Sequence, residues 1–161
     1  IQNDGPIIGT YGVNREGSGD MYPKGANLLG MVRTVINDDQ KWRQILRGLN
    51  QQFYHQTVTT EQIVGYINQQ SGRDLTRVFD QYLRHANIPT LEFRFGPDGK
   101  PSARWIADVR GFDMPVRVRS KGGEWRFIQP GASMQVVDVP GLSKDNLEVD
   151  TFNYYIGVLV E

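Results

Sequence analysis

The chain has 161 residues, of which 39% are hydrophobic, and this suits one compact domain or two small ones. Its 18 Lys and Arg balance 18 Asp and Glu, so nucleic-acid binding through overall charge is not expected. The absence of cysteine excludes disulfide scaffolds, thiolate metal sites and cysteine nucleophiles. No run approaches the ~20 apolar residues of a membrane span, and residues 1–6 lack the pattern of a secretion signal.

Proline placement predicts a change of architecture near residue 88. No proline lies between Pro23 and Pro89, whereas six of the eight prolines occur from Pro89 onward. Because helix interiors exclude proline, residues 24–88 can be helical, and the later part cannot form long helices. We therefore expect an α+β fold with a helical domain over residues 1–88 and an antiparallel β-sandwich over residues 89–161.

Four amphipathic helices are predicted in the first part, because apolar residues recur there at three- and four-residue steps. Asp20 is the predicted cap of the first helix. Thr59 and Gln62 have the capping-box spacing, and Gly72 is placed to end the same helix. The predicted helices cover residues 21–36, residues 37 or 38 to 53, residues 59–72 and residues 74–85.

The second part alternates apolar and polar residues, as is typical of strands. Residues 91–95 and 103–109 flank a turn sequence at 96–99, which predicts a β-hairpin. Short strands separated by turns that contain glycine or proline favour a sandwich. They are predicted at residues 116–120, 125–128, 133–137 and 151–160, with a weaker one at 147–150.

Few residues have a spacing that predicts catalysis. The two histidines, His55 and His85, are not paired at helical spacing, so we expect surface histidines and no zinc site formed by this chain alone. Asp38 and Asp39 can be interpreted as an acid pair, but helix capping is the favoured interpretation. No nucleotide-binding or serine-hydrolase motif is present.

A basic run at residues 117–121 is a candidate binding surface for an anionic group. Arg117, Arg119 and Lys121 are spaced by two, so a strand would project all three from one face. The solvated face of an antiparallel strand is the favoured alternative.

Tyr22 is a candidate for catalysis because it falls in the first turn of a predicted helix, after the Gly-Ser-Gly-Asp stretch at residues 17–20. A phenol held outward at a helix N-terminus can donate a hydrogen bond to a developing oxyanion. The alternative is a partly buried phenol packed between helices.

Two longer motifs occur in a fixed order along the chain. Residues 20–33 read DMYPKGANLLGMVR, residues 71–83 read SGRDLTRVFDQYL, and Asn-Ile-Pro follows at residues 87–89. In this order they resemble the aminopeptidase N-like zinc metallopeptidases, the gluzincin aminopeptidases. They are similar to that family's Tyr-x-Lys-Gly-Ala helix, to a later helix, and to the entry into its β-rich domain. The resemblance covers about residues 1–95.

The resemblance implies that the chain is the C-terminal portion of a zinc-dependent aminopeptidase, which removes N-terminal residues from peptides. It implies that Tyr22 stabilises the tetrahedral intermediate, in the intact enzyme only. The zinc-binding His-Glu-x-x-His helix and the loop that recognises the substrate would belong to a missing N-terminal catalytic half. This chain alone is therefore expected to bind no metal or other cofactor and to be inactive. The habits of the family favour an exported bacterial enzyme, periplasmic or extracellular.

Two alternatives remain open: a non-catalytic structural or interaction module, and part of a catalytically dead relative. In a complete family member the first helix would pack against the zinc-bearing helices, so part of an apolar set is expected to be exposed here. That set is Leu28, Leu29, Met31 and Val32. We expect self-association through the first helix, or residues 1–13 folding back, to cover this patch.

Overall fold

The computed structural model describes residues 1–161 and contains four helices followed by seven strands. The helices are α1 (Met21–Ile36), α2 (Asp39–Gln52), α3 (Thr60–Ser71) and α4 (Thr76–Arg84). The four predicted helices are therefore confirmed, close to their predicted ends. None of them has the length and the apolar character that crossing a membrane requires.

The ends of α2 and α3 follow the predicted capping chemistry. The Asp38 carboxylate accepts a hydrogen bond from the backbone N–H of Lys41 at 2.9 Å and caps α2, so the capping interpretation of this residue is confirmed. Thr59 and Gln62 form the reciprocal capping box of α3. Gly72 ends α3 at φ 71°, a left-handed conformation that glycine adopts without strain.

Two helix starts differ from the prediction. The Asp20 carboxylate does not cap α1, because it accepts hydrogen bonds from the backbone N–H groups of Gln2, at 2.9 Å, and Asn3, at 2.6 Å. The α4 helix begins at Thr76 and not at Asp74, because the Asp74 carboxylate accepts a hydrogen bond from the Thr76 N–H at 3.0 Å in the preceding turn. At both helix starts, the aspartate accepts hydrogen bonds from backbone N–H groups other than those that a helix cap at its position would bind.

The seven strands form two sheets. They are β1 (Thr90–Phe95), β2 (Pro101–Ile106), β3 (Val116–Ser120), β4 (Arg126–Ile128), β5 (Gln135–Val136), β6 (Leu147–Val149) and β7 (Gly157–Val160). The first sheet has the order β5-β2-β1-β7, and the second has the order β4-β3-β6. The predicted hairpin is the antiparallel β1–β2 pair, and the weak strand at 147–150 is confirmed as β6. The α+β class is confirmed, whereas the sandwich arrangement stays a prediction.

The last strand differs most from its prediction. It pairs parallel to β1, so the first sheet is mixed and the expectation of purely antiparallel strands is wrong. It is also shorter than the predicted 151–160, because the Asp150 carboxylate accepts a hydrogen bond from the Asn153 N–H at 3.1 Å and closes a turn there. Alternating polarity predicts a strand but not the direction of its neighbour.

One apolar cluster of 27 buried residues includes side chains from all four helices and from both sheets. Part of the apolar set on α1 is expected to be exposed, and three of its members, Leu28, Met31 and Val32, are at most 2% exposed because α2 and α4 pack against α1. Leu29 alone of the predicted set is exposed, at 43%. The division of the chain at residue 88 stays a prediction.

The segment before α1 is held against the helices by hydrogen bonds at two places. Its first residues bind Asp20 as described, and the Ile8 N–H donates to the Leu83 carbonyl at 3.2 Å. Leu83 lies in the last turn of α4, so this segment lies against the ends of two helices. It leaves Leu29 exposed.

The first sheet contains one buried carboxylate. Glu92, in β1, is 1% exposed, and it accepts hydrogen bonds from the guanidinium groups of Arg104, at 2.5 Å, and Arg94, at 2.8 Å. The hydrogen bond from Arg104 lowers the pKa of Glu92, burial opposes this, and Arg94 lowers the pKa further. The carboxylate is therefore held ionised by two neighbouring cations.

Candidate functional site

Tyr22 is the second residue of α1, and its side chain is 80% exposed. It therefore does not pack between the helices of this chain. The first turn has few free N–H groups, because the Met21 N–H donates to the Ser18 carbonyl at 3.0 Å and Pro23 has no N–H. The Tyr22 phenol therefore lies on the surface at the start of α1.

Lys24, two residues further along α1, is fully buried. Its Nζ donates hydrogen bonds to the carbonyl oxygens of His85, at 3.0 Å, and Ala86, at 2.7 Å, directly after α4. Burial lowers the pKa of Lys24, and the charges of Asp20 and Asp108 oppose this effect. A charged side chain in the helical core thus joins the start of α1 to the end of α4.

Gln81 completes this junction from the other side. It is fully buried in α4, and its Nε2 donates to the Asn87 carbonyl at 2.9 Å. Its Oε1 accepts a hydrogen bond from the Val109 N–H, also at 2.9 Å. Together, Lys24 and Gln81 satisfy three successive carbonyl groups, at residues 85–87, where the chain passes from helices to strands.

Sequence reasoning missed both residues of the junction. The available signal for Lys24 was its position, because it precedes the buried Leu28 by four residues and Met31 by seven, the spacing of one helix face. A polar residue on an apolar face indicates a buried group that needs partners. Gln81 lies in the same way on the buried side of α4.

The exposed face of α1 borders a groove of about 750 Å³. Ala26, Gly30 and Arg33 line it from α1, and Phe152 and Arg117 line it from the second sheet and the turn after β6. Phe152 is 94% exposed, which is unusual for a large apolar side chain. The groove is mainly polar, so an apolar small molecule is not its expected ligand.

The two histidines have different surroundings. His55 is exposed and stacks on Tyr54, with ring centroids 4.1 Å apart, and His85 Nδ1 lies 3.7 Å from Asp108 Oδ2. No group of three or more His, Asp or Glu side chains is placed to hold a metal ion.

Two of the three residues of the basic run, Arg117 and Arg119, lie on β3 and are paired within the chain, whereas Lys121 follows the end of the strand. Arg117 binds Asp150 at 2.5 Å, and Arg119 binds Glu148 at 2.6 Å and lies 4.3 Å from the centroid of the Trp125 ring. Each of the two arginines thus has a carboxylate partner at β6 or directly after it. The run is better described as a paired sheet surface than as an empty anion site.

Comparison with models of known protein families finds no match, and comparison with curated proteins finds none either. Among solved structures, the chain is similar to Legionella pneumophila aminopeptidase A, whose crystal structure is a complex with aspartic acid. The TM-score is 0.71 and the sequence identity is 14%. The match covers 89% of this chain and 18% of the aminopeptidase chain. At this identity the likeness establishes a shared fold, which forms a small part of a much longer protein in the Legionella enzyme.

Proposed function

We propose that this chain is the C-terminal portion of a zinc-dependent aminopeptidase that removes N-terminal residues from peptides. The observation that carries the proposal is the fold likeness to an aminopeptidase over 89% of this chain. The sequence resemblance at residues 20–33 and 71–83 supports it independently, because it rests on residue identity at particular positions. In this proposal residues 1–88 end the catalytic domain, and residues 89–161 form a β-sandwich beside it.

Within this proposal, Tyr22 is the residue that this chain contributes to catalysis. Its phenol donates a hydrogen bond to the oxyanion that forms when water attacks the scissile carbonyl. The exposure of Tyr22 at a helix N-terminus supports this role, because the hydroxyl can reach a substrate bound by another part of the protein. In this proposal, residues outside this chain bind the zinc of the parent enzyme.

Tyr22→Phe in the complete protein tests this role. It should lower kcat by about 100- to 1,000-fold, as the loss of one oxyanion donor does, and should change KM little. The matched control is Tyr54→Phe, because Tyr54 is also exposed, at 69%, but lies at the end of α2. An unchanged kcat in Tyr22→Phe would remove this residue from the catalytic step.

Expression of the 161-residue chain alone tests whether zinc binding and hydrolysis require the rest of the protein. We expect no stoichiometric zinc by metal analysis and no hydrolysis of an aminoacyl-anilide. One zinc per chain together with activity would overturn the proposal. The gene sequence before residue 1 separates the remaining possibilities: an intact His-Glu-x-x-His motif supports the enzyme, and a degenerate one supports a catalytically dead relative.

A second candidate function is a non-catalytic interaction module. The exposed Phe152 beside the groove favours it, because aromatic residues, phenylalanine among them, are enriched in protein interfaces. A start codon directly before residue 1 would support this alternative. Self-association through α1 is a separate possibility that rests on Leu29, and sedimentation of Leu29→Ser against the unaltered chain tests it.

A further inference from the structure

We propose that Lys24 is a positioning residue for the Tyr22 hydroxyl, because its buried side chain joins the first turn of α1 to the backbone after α4. The inference rests on the proposed function, in which Tyr22 acts on the substrate. It adds a second residue to the candidate site. This residue acts through Tyr22 and does not touch the substrate itself.

Helix geometry couples the directions of the two side chains. Residues two apart on an α-helix point about 200° apart around its axis. Lys24 is fully buried, while Tyr22 is 80% exposed, as that geometry requires. When the Lys24 ammonium is fixed, rotation of the first turn about the helix axis is restricted, and the direction of the phenol is restricted with it.

The start of α1 is held through the backbone, since the Met21 N–H donates to the Ser18 carbonyl at 3.0 Å, but side-chain restraints on the first turn are few. Its side-chain cap is missing, because Asp20 binds other N–H groups. Pro23 lacks an N–H, and Gly25 has no side chain to pack. After Lys24, the next buried side chain of α1 is Leu28, more than one turn further on. Lys24 is therefore the first side chain of α1 that anchors the turn carrying Tyr22.

The acceptors of Lys24 belong to a well-held piece of backbone. The His85 and Ala86 carbonyls that bind its Nζ precede Asn87, whose carbonyl is held by Gln81. The charged groups that act on the ammonium are the carboxylates of Asp20 and Asp108. An apolar side chain would avoid the cost of burying a charge, but it would leave both carbonyls without their donor. The lysine instead adds two directional bonds, which set the distance between the helix start and the junction.

Backbone dynamics of the 161-residue chain give a test that does not depend on activity. In Lys24→Met, the NMR order parameters of the Tyr22 and Gly25 amides should fall from about 0.85 to below about 0.6, while that of Val35 stays unchanged. Lys41→Met is the matched control, because Lys41 is an exposed lysine of α2. Unchanged order parameters at Tyr22 and Gly25 in Lys24→Met would overturn the proposal.

Kinetics of the complete protein give the second test. Lys24→Met should lower kcat by roughly 10- to 100-fold, the effect expected when a catalytic group is misplaced, with KM within about twofold. Because Lys24 acts through Tyr22, the double variant Lys24→Met with Tyr22→Phe should be no slower than Tyr22→Phe alone. If Lys24→Met does not fold, Lys24→Arg replaces it in the same cycle, since arginine keeps the charge but has a larger head group.

The outcomes separate the two proposals. Suppose that Tyr22→Phe lowers kcat and that adding Lys24→Met lowers it by the same factor as Lys24→Met does alone. Lys24 is then not a positioning residue, although the proposed function stands. If Tyr22→Phe leaves kcat unchanged, the proposed function fails, and Lys24 has no catalytic group to position. A loss in Lys24→Met that disappears in the Tyr22→Phe background supports both proposals.

Discussion

Two buried charges in this chain are stabilised in different ways. Lys24, in the helical part, has neutral carbonyl oxygens as its hydrogen-bond partners, whereas Glu92, in the first sheet, is held between the cations Arg94 and Arg104. Both side chains are at most 1% exposed. The main influence on the pKa also differs between the two groups. For Lys24 it is burial, which lowers the pKa, and for Glu92 it is the hydrogen bond from Arg104, which also lowers the pKa.

This difference indicates what each charge does. Loss of the Glu92 carboxylate should lower the free energy of unfolding only modestly. Its two arginine partners reach solvent, so water can solvate them when the carboxylate is removed. An ammonium on two backbone carbonyls links two parts of the main chain, and removing it leaves both carbonyls without their donor. We therefore expect the Lys24 junction to be the less tolerant region.

The largest effect on stability is expected for Lys24→Met. It leaves the His85 and Ala86 carbonyls without their donors, and we expect a loss of about 3 kcal/mol in the free energy of unfolding. Lys41→Met, at an exposed position of α2, should stay within about 0.5 kcal/mol of the unaltered chain. Urea unfolding of the three proteins measures this. Equal stability of Lys24→Met and Lys41→Met would remove the contrast between the two buried charges.

Gln81→Leu should have the next largest effect. The substitution removes the partners of the Asn87 carbonyl and the Val109 N–H but no charge, so we expect a loss of about 2 kcal/mol. Gln70→Leu is the control, because Gln70 is exposed on α3. If Gln81→Leu is as stable as the control, the junction is held by Lys24 alone.

Glu92→Gln should affect stability in a pH-dependent way. The folded-state pKa of Glu92 lies below its usual value, near 4.5, so its ionised form stabilises the fold above pH 4.5. That contribution is lost as the pH falls from 4.5 through the lower folded-state pKa. The variant should therefore be less stable than the parent chain at pH 7, and the gap should narrow in acid. Thermal unfolding at pH 7 and pH 3 tests this, with exposed Glu124→Gln as the control; a constant gap would contradict it.

The smallest effect is expected at the ion pair of Arg33 and Asp39, whose nearest atoms are 2.8 Å apart with both side chains more than half exposed. Arg33→Met should change Tm by less than about 2 °C, because solvent screens such pairs. A scan of both proteins at low and high salt checks this. A larger fall in Tm that depends on salt would show that this exposed pair stabilises the fold as strongly as the buried charges do.

The sequence predicted the helices well because each is defined by local chemistry. The capping box of Thr59 and Gln62 and the left-handed Gly72 act within a few residues, so their spacing is readable in one chain. The parallel pairing of β7 with β1 was not predictable, since alternation carries no information about a distant partner. The same holds for Lys24, whose acceptors lie about sixty residues away along the chain.

The candidate site shows the same limit. Tyr22 was selected from its position in a helix start and from a family motif, and its exposure is consistent with that choice. The junction behind it was missed because a lysine in an amphipathic helix is ordinarily assigned to the solvent side. The paired arginines at 117 and 119 were predicted to share one face, but their partners on the chain around β6 were not.

The position of β7 has a consequence for the behaviour of the protein in concentrated solution. As the outermost strand beside β1, it covers the backbone of a strand that contains Leu91, Phe93 and Phe95. The Glu161 N–H extends this cover by donating to the Phe93 carbonyl at 2.9 Å. Without β7, β1 would present an unpaired apolar edge, the kind of surface on which chains add to one another as sheets. β7 is itself the edge strand, but with four residues it is shorter than the six of β1, and short edge strands pair less readily with other chains.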